Sequence, residues 1–473
     1  MAICFLIDAS EQCAAARFAR LRGASLAPCA KLDALPGQIS QPSMIVVGLS
    51  RLQRLSLRHR AHIANLVGQG ATLYVRGLPD GCAALDLKPF ASIALAIARE
   101  RRAMSYRFTA SAMLPAALAG EQVSGGLFEA CAAEALSPSI EQLLMVRHVD
   151  GVERAAIFAL GYGSGCAIFD LQSDDGAGTD TPIVARLADR DTLYRESGAL
   201  VAANRVAGIE AARMPPFNLT IDDRPVNFDH FNAEAIAALL RRIDHLCPGA
   251  HTDFAWTPRH TRPCRGYLEV VKKFPAGFVW HGLYRHVDHR ALAHPPAELA
   301  KGARTIGRLQ RRFGIRFQPV MIFPFERSAP SQFPLLVRAG FTAVVGEPRR
   351  PPHVDSDLPE SLAGSLPAHV DANSGLMVLY RYQAAALTRE RMLAMASLGL
   401  PIIAVAHPDE VGLKRLSRFW DRGGNVAHFD EVLKFASSKA LRARSLEDIT
   451  VEVRRAWLSG VHATEAVRVA GGS

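Results

Sequence analysis

The stretch from residue 213 to residue 445 alternates short apolar runs with segments whose apolar residues recur at helical spacing. Runs such as FNLTID, TDFAWTP, GFVWHG and PIIAVAHP are separated by helical patterns such as AIAALLRRIDHLC and ELAKGARTIGRLQRRFGI. A strand joined through a helix to the next strand forms a parallel crossover unit. The stretch holds roughly six to eight such repeats, a number that suits a β/α barrel, whole or incomplete.

The first half of the chain has an α/β pattern of its own. Apolar runs at residues 2–7, 43–47 and 72–75 are typical of strands, and the helical spacing over residues 55–69 predicts a crossover helix between the last two. A strand, a helix and a strand with short joints indicate a parallel sheet. We therefore expect a parallel-sheet α/β domain over residues 1–205.

Two prolines mark the boundary between these regions. Pro215 and Pro216 stop any helix, and a new apolar segment begins directly after them. We place the barrel-type domain over residues 213–445, and a C-terminal helix with a mobile tail over residues 446–473.

The glycine-rich run from Gly161 to Gly165 joins two apolar runs. It lacks the GK[ST] ending of a phosphate loop, and an apolar strand follows it where a phosphate loop would be followed by a helix. We interpret it as a hairpin turn.

Composition excludes several classes of protein. The net charge of +10 comes mostly from arginines spread along the chain, without the aromatic-interleaved basic stretch of a nucleic-acid module, so we expect no nucleic-acid partner. No apolar run reaches about 18 residues, so we expect no membrane span. The eight cysteines form no CxxC pair, and the N-terminus reads as a strand that meets Asp8, so we expect a reduced, cytoplasmic protein.

Two adjacent carboxylates, Asp222 and Asp223, follow the apolar run FNLTI. The carboxyl ends of parallel strands are where catalytic residues gather, and two neighbouring acids repel each other unless a cation lies beside them. A plain turn aspartate is the alternative interpretation.

Three histidines, His281, His286 and His289, follow the apolar run GFVW, which comes after the runs FNLTID and TDFAWTP. Imidazole is a common ligand of zinc and similar ions, and carboxylate oxygen completes such sites. The cluster therefore predicts a metal site. Two later strands add candidates: His407 ends the run IIAVA, and Arg327 follows the run VMIF through Pro-Phe-Glu.

These segments, in this order, resemble the polysaccharide deacetylase (NodB-homology, carbohydrate esterase) superfamily, of which the chain looks like a divergent member. The resemblance covers less than half of the chain. It departs from the family in the histidine spacing, because His281 and His286 are five apart and His286 and His289 three apart, where the family has four. Arg327 matches the third motif only loosely, and no counterpart of the fourth motif is evident.

The resemblance implies a role for each residue. Asp222 would be the general base, and Asp223, His281 and His286 would hold a divalent metal ion, zinc above all, with His289 as the alternate ligand. His407 would be the general acid, and Arg327 would assist in the same site.

The resemblance further implies a metal-dependent hydrolase that removes an N-acyl group, N-acetyl in the first place, from a carbohydrate or amino-sugar substrate. The alternative is a protein with a catalytically degenerate deacetylase fold that acts as a binding or scaffold protein in polysaccharide biosynthesis. For the first domain, the stretch from SMIVVGLSRL to GATLYVRG resembles the glutamine-amidotransferase-like fold. That family's nucleophilic cysteine lies on a glycine-flanked turn, and because no such turn is evident we expect a non-catalytic version.

Overall fold

The computed structural model describes residues 2–7, 9, 13–21, 24–29, 35–78, 84–91, 94–100, 104–124, 130–133, 140–172, 187, 189–208, 214–222, 233–260, 265–326, 330–346, 368–371, 373–407 and 425–458. These residues form two compact units, one containing the residues up to 208 and the other those from 214 to 458.

The first unit is built on a mixed sheet of twelve described strands. The strands are β1 (Ile3–Ile7), β2 (Ser25–Cys29), β3 (Ser43–Gly48), β4 (Thr72–Arg76), β5 (Ala84–Asp86), β6 (Ala94–Glu100), β7 (Ser105–Phe108), β8 (Gln122–Ser124), β9 (Ala130–Ala133), β10 (Ile140–Arg147), β11 (Glu153–Tyr162) and β12 (Gly165–Asp170). The described helices are α1 (Ala14–Leu21), α2 (Leu49–Arg54), α3 (Leu57–Gly68) and α4 (Arg190–Val206).

One half of this sheet is parallel and the other half is antiparallel. Strands β2, β1, β3, β4 and β12 lie side by side in parallel, and β11, β10, β7 and β8 continue the sheet in antiparallel pairs. The predicted crossover between β3 and β4 is confirmed. The expectation of a parallel sheet holds only for the first half, because the later strands are joined by hairpins.

The crossover between β3 and β4 contains two helices where the sequence predicts one. Ser56 separates them, and its side chain accepts a hydrogen bond from the backbone N–H of His59 at the start of α3. A serine at this position satisfies an N–H that has no partner within the helix, so it begins a new helix more readily than it continues an old one.

The predicted hairpin between β11 and β12 is confirmed by their antiparallel pairing, which runs to Tyr162 and Gly165. Gly163 occupies the turn with φ of 60°, and a Cβ at this residue would lie 2.5 Å from the carbonyl oxygen of Gly68. Only glycine fits a left-handed turn this close to a neighbouring backbone.

The second unit is built on a sheet of ten described strands with helices between them. The strands are β13 (Pro216–Asp222), β14 (Thr252–Trp256), β15 (Ala276–His281), β16 (Phe317–Ile322), β17 (Ala343–Gly346), β18 (Ala368–Val370), β19 (Met377–Tyr380), β20 (Tyr382–Gln383), β21 (Ile402–Ala406) and β22 (Arg442–Ala443). The described helices are α5 (Ala233–Leu246), α6 (Arg265–Val271), α7 (Pro295–Phe313), α8 (Phe333–Arg338), α9 (Arg389–Ser397), α10 (Asn425–Ser438) and α11 (Leu446–Leu458).

This sheet is parallel from β19 through β17, β16, β15, β14, β13 and β21 to β20, and β18 is added antiparallel to β19. The described strands show no pairing between the two ends of the sheet, so they form part of a barrel-type sheet. β19 and β20 lie near opposite ends of this sheet and are separated in the chain by Arg381 alone.

The C-terminal helix α11 is part of the core of the second unit. Leu446, Ile449 and Val453 pack against buried strand residues of β14 to β19. At the first turn of α11, the backbone N–H of Leu446 donates to a carboxylate oxygen of the buried Asp253 over 2.8 Å. A carboxylate at a helix N-terminus satisfies an otherwise unpaired N–H and complements the helix dipole.

None of the described helices combines the length and the low polarity that crossing a lipid bilayer requires.

Candidate active site

The carboxyl ends of three strands bring the candidate residues of the second unit together. Asp222 ends β13, and His281 ends β15. His407 directly follows β21, whose last residue, Ala406, pairs with Ile221 of β13. Because parallel strands end at the same edge of a sheet, the side chains that follow them meet there.

Asp222 is buried and is held by a fully buried arginine, Arg381. Two guanidinium nitrogens of Arg381 donate to the two carboxylate oxygens of Asp222, each over 2.7 Å. One of them also donates to the hydroxyl oxygen of Thr220 over 3.2 Å. A planar guanidinium that meets a carboxylate in this paired manner fixes its orientation as well as its charge.

The charges around Asp222 keep its carboxyl ionised. Burial by itself raises the pKa of Asp222, but the positive charge of Arg381 and the hydrogen bonds that it donates bring the pKa well below the usual range. Asp222 is therefore a carboxylate throughout the neutral range.

His281 lies beside Asp222 and is 2% exposed. Its Nδ1 is 3.7 Å from a carboxylate oxygen of Asp222, which is too long for a hydrogen bond. Among the residues that the structure describes, neither ring nitrogen of His281 has a hydrogen-bond partner. Burial lowers the pKa of His281 well below its ordinary value, so the ring is a neutral imidazole.

His286 stacks on His281, with ring centroids 5.0 Å apart and planes at 25°. The ring of Phe325 meets His286 edge-on at 4.7 Å. Phe325 follows β16, is 57% exposed and has the left-handed backbone angles φ 59° and ψ 17°. A large side chain in this conformation is a strained arrangement, and such arrangements concentrate at functional sites.

His289 is fully buried and faces the backbone of its own loop. Its Nε2 lies 3.4 Å from the backbone N of Leu283, and its ring packs edge-on against Phe323 at 5.0 Å. Burial lowers the pKa of His289 to about 4, against an opposing hydrogen bond to the backbone of Arg285. These contacts are those of a histidine that shapes the loop.

Two of the sequence candidates, Asp223 and Arg327, lie outside the described residues. Within the described part of the chain, no three His, Cys, Asp or Glu side chains are grouped closely enough to hold a metal ion. Asp222, His281, His286 and His407 are the candidates that the structure brings to one end of the sheet.

Arg381 was not predicted as a site residue. It follows the apolar run LMVLY in the same way that Asp222 follows FNLTI. A charged residue directly after a strand is the signal that could have identified it, but its partner lies 159 residues away in the sequence.

The histidines fit a divalent metal ion in their chemistry. His281 is neutral and buried with no hydrogen-bond partner in the described region, and His286 lies against it. A neutral imidazole is the form that binds zinc and related ions. Asp222 is bound to Arg381 on both oxygens, which suits a base better than a metal ligand.

No family model matches the chain, and no curated protein matches it. Solved structures are similar over about half of it. They include a Mycobacterium smegmatis protein assigned as a polysaccharide deacetylase, with 15% identity, 51% of this chain and 91% of that one covered, and a TM-score of 0.36.

Two further solved structures are similar to the chain at an equally low level. The match to a 4-alpha-glucanotransferase from Thermococcus litoralis has 13% identity and a TM-score of 0.36. It covers 50% of this chain and 40% of the glucanotransferase chain. The match to the structure described as T48 deacetylase with substrate has 12% identity and a TM-score of 0.29. It covers 50% of this chain and 90% of the deacetylase chain. Similarities at this level do not assign the chain to a family, so the geometry of the site carries the functional argument.

Proposed function

We propose that the second unit is a metal-dependent hydrolase that removes an N-acyl group, N-acetyl in the first place, from an amino-sugar-containing substrate. The observation that carries the proposal is the grouping at one sheet end of an ionised carboxylate, Asp222, with His281, a neutral histidine whose ring nitrogens have no partner in the described region.

Asp222 is the base of the proposed reaction. Arg381 holds the carboxylate in one orientation, and each carboxylate oxygen has a further lone pair with which to accept a proton from an attacking water. The low pKa of Asp222 makes it a weak base, so the water itself has to be made acidic.

His281 and His286, together with Asp223, are the proposed metal ligands, and His289 is the less favoured alternate because it contacts its own loop backbone. A bound divalent ion supplies a Lewis acid that lowers the pKa of water and stabilises negative charge on the acyl oxygen. Stacking against His281 restricts the ring of His286 before any ligand binds.

His407 is the proposed acid. It follows β21, the strand paired with β13, so His407 and Asp222 lie at the same end of neighbouring strands. An amine leaves as a neutral molecule only after it receives a proton, and His407 would donate it. Phe325, exposed above His286, offers an aromatic face to the substrate.

Acetate release from N-acetylglucosamine oligomers, measured with added zinc or cobalt, tests the proposal. Asp222→Asn should abolish release and still bind metal, and His407→Ala should slow the amide far more than an activated acetyl ester, whose leaving group needs no proton. Equal losses on both substrates would limit His407 to a structural role. A protein that binds no metal and releases no acyl group would favour a binding or scaffold protein.

A further inference from the structure

A cleft of about 710 Å³ lies in the second unit, and none of the side chains grouped at Asp222 lines it. Its walls come from the turn after His289, from the first turn of α7 and from the segment leading into α8. The volume falls within the range of sites that hold small organic ligands.

Much of the lining is apolar. Pro295 and Pro296 form the first turn of α7 and carry no N–H, so this wall offers no backbone donor. Leu292 and Leu335 add aliphatic surface. An apolar portion of a ligand would therefore lose little hydrogen bonding on entering and would gain by leaving water.

The charged groups of the cleft are both cationic. Arg338 is exposed on α8, and no carboxylate of the described residues pairs with it. Arg290 binds Asp288 through two side-chain hydrogen bonds of 3.2 and 3.0 Å. Guanidinium groups bind carboxylate and phosphate through paired hydrogen bonds, and the spare charge at Arg338 favours an anion.

Gln332 connects the cleft to the histidine loop. Its side chain is 7% exposed, and its amide nitrogen donates to the carbonyl oxygen of His289 over 2.8 Å. Its amide oxygen is buried without a hydrogen-bond partner in the described part of the chain. The hydrogen bond to His289 therefore links Gln332, a wall residue of the cleft, to the histidine loop.

We propose that this cleft binds a small organic anion with an apolar body. Arg338 holds its carboxylate or phosphate, and the proline and leucine walls pack against the body. Because Gln332 and Arg290 both adjoin His289, an occupied cleft restrains the loop that carries His286. This site is separate from the proposed acyl-transfer chemistry, and its binding does not depend on it.

Calorimetric titration of the full chain with hexanoate, hexyl phosphate, hexanamide and inorganic phosphate tests the proposal. Hexanoate or hexyl phosphate should bind, and whichever binds more tightly identifies the preferred head group. Hexanamide, which lacks the charge, should bind at least about tenfold more weakly. Binding of inorganic phosphate as tight as that of hexyl phosphate would mean an adventitious ion only and would overturn the proposal.

Two cleft variants and one control localise the binding. Arg338→Gln should weaken the anion about tenfold, since it removes one charge-assisted contact. Leu335→Trp should block the cleft, and Arg304→Gln, which removes an exposed arginine of α7 outside the cleft, should change nothing. Unchanged affinity in both cleft variants, or equal losses in all three, would refute the assignment.

Amide hydrogen exchange of the loop at residues 282–289 tests the coupling to the histidines. Saturating hexanoate should slow exchange in the wild-type protein and in Arg304→Gln, but not in Arg338→Gln at the same concentration. Binding without any change in loop exchange would contradict the proposed restraint.

Discussion

Arg381 binds both carboxylate oxygens of Asp222 over 2.7 Å, and it does so from the single residue that separates β19 from β20. The same contact therefore links the chain between β19 and β20 to the end of β13 and fixes the orientation of the proposed catalytic base.

Breaking the ion pair of Arg381 and Asp222 should lower the free energy of unfolding more than breaking an ion pair on the surface. Arg381→Met leaves a buried carboxylate without a partner, and we expect a loss of about 3–5 kcal/mol in the free energy of unfolding. Guanidinium denaturation followed by tryptophan fluorescence reports on the second unit, because Trp256, Trp280, Trp420 and Trp457 all follow residue 214 in the sequence.

A double-mutant cycle separates the pair from other effects of the substitution. Asp222→Asn combined with Arg381→Met should be much less damaging than the sum of the single changes. The exposed pair of Arg316 and Glu447, 2.6 Å apart, serves as the control and should couple by no more than about 1 kcal/mol. Additive losses at Asp222 and Arg381 would show that the ion pair contributes nothing specific.

Phe325 should contribute to substrate binding at the expense of backbone strain. Its left-handed conformation favours glycine, so Phe325→Gly should be about 1 kcal/mol more stable than Phe325→Ala. Both variants should raise KM for an acetylated sugar oligomer with a smaller effect on kcat, and Phe325→Tyr should restore KM. Wild-type KM in Phe325→Ala would exclude substrate contact.

The strand ends of the site could be predicted from sequence, but the contacts between them could not. Asp222, His281 and His407 each directly end or follow an apolar run, and parallel strands deliver such residues to one edge. Arg381 has the same local pattern, yet its role depends on how the sheet curves, which periodicity does not encode.

The spacing of the histidines also left open whether His286 or His289 is the second metal ligand. His286 and His289 are equivalent as residue types, and only the loop conformation turns His289 toward the backbone of Leu283 and His286 toward His281. In the first unit, apolar periodicity predicts the helix over residues 55–69 but not α2 before it, and the capping contact of Ser56 separates the two helices.

His369 should make the second unit less stable in mild acid. Burial lowers the pKa of His369 to about 4, and its Nδ1 lies 3.3 Å from the hydroxyl oxygen of Tyr380. As the pH falls from about 6.5 to about 4, the unfolded chain takes up a proton that the folded protein resists, so stability is lost across this window by roughly 2.5 kcal/mol.

Stability curves of His369→Gln between pH 7.5 and 4 measure this contribution. The variant should lose less stability than the wild-type protein over the window, whereas His294→Gln, which removes an exposed histidine, should follow the wild-type curve. Parallel curves for His369→Gln and the wild-type protein would contradict the assignment.

Metal binding by the chain of 473 residues is the most direct test of the central claim. Dialysis against buffered zinc, followed by elemental analysis, should find one ion per chain in the wild-type protein and in His289→Gln. His281→Ala and His286→Ala should each weaken zinc binding by at least about tenfold while still unfolding in one cooperative transition. A wild-type protein that retains no zinc, or two alanine variants that retain it as tightly as the wild type, would contradict the account.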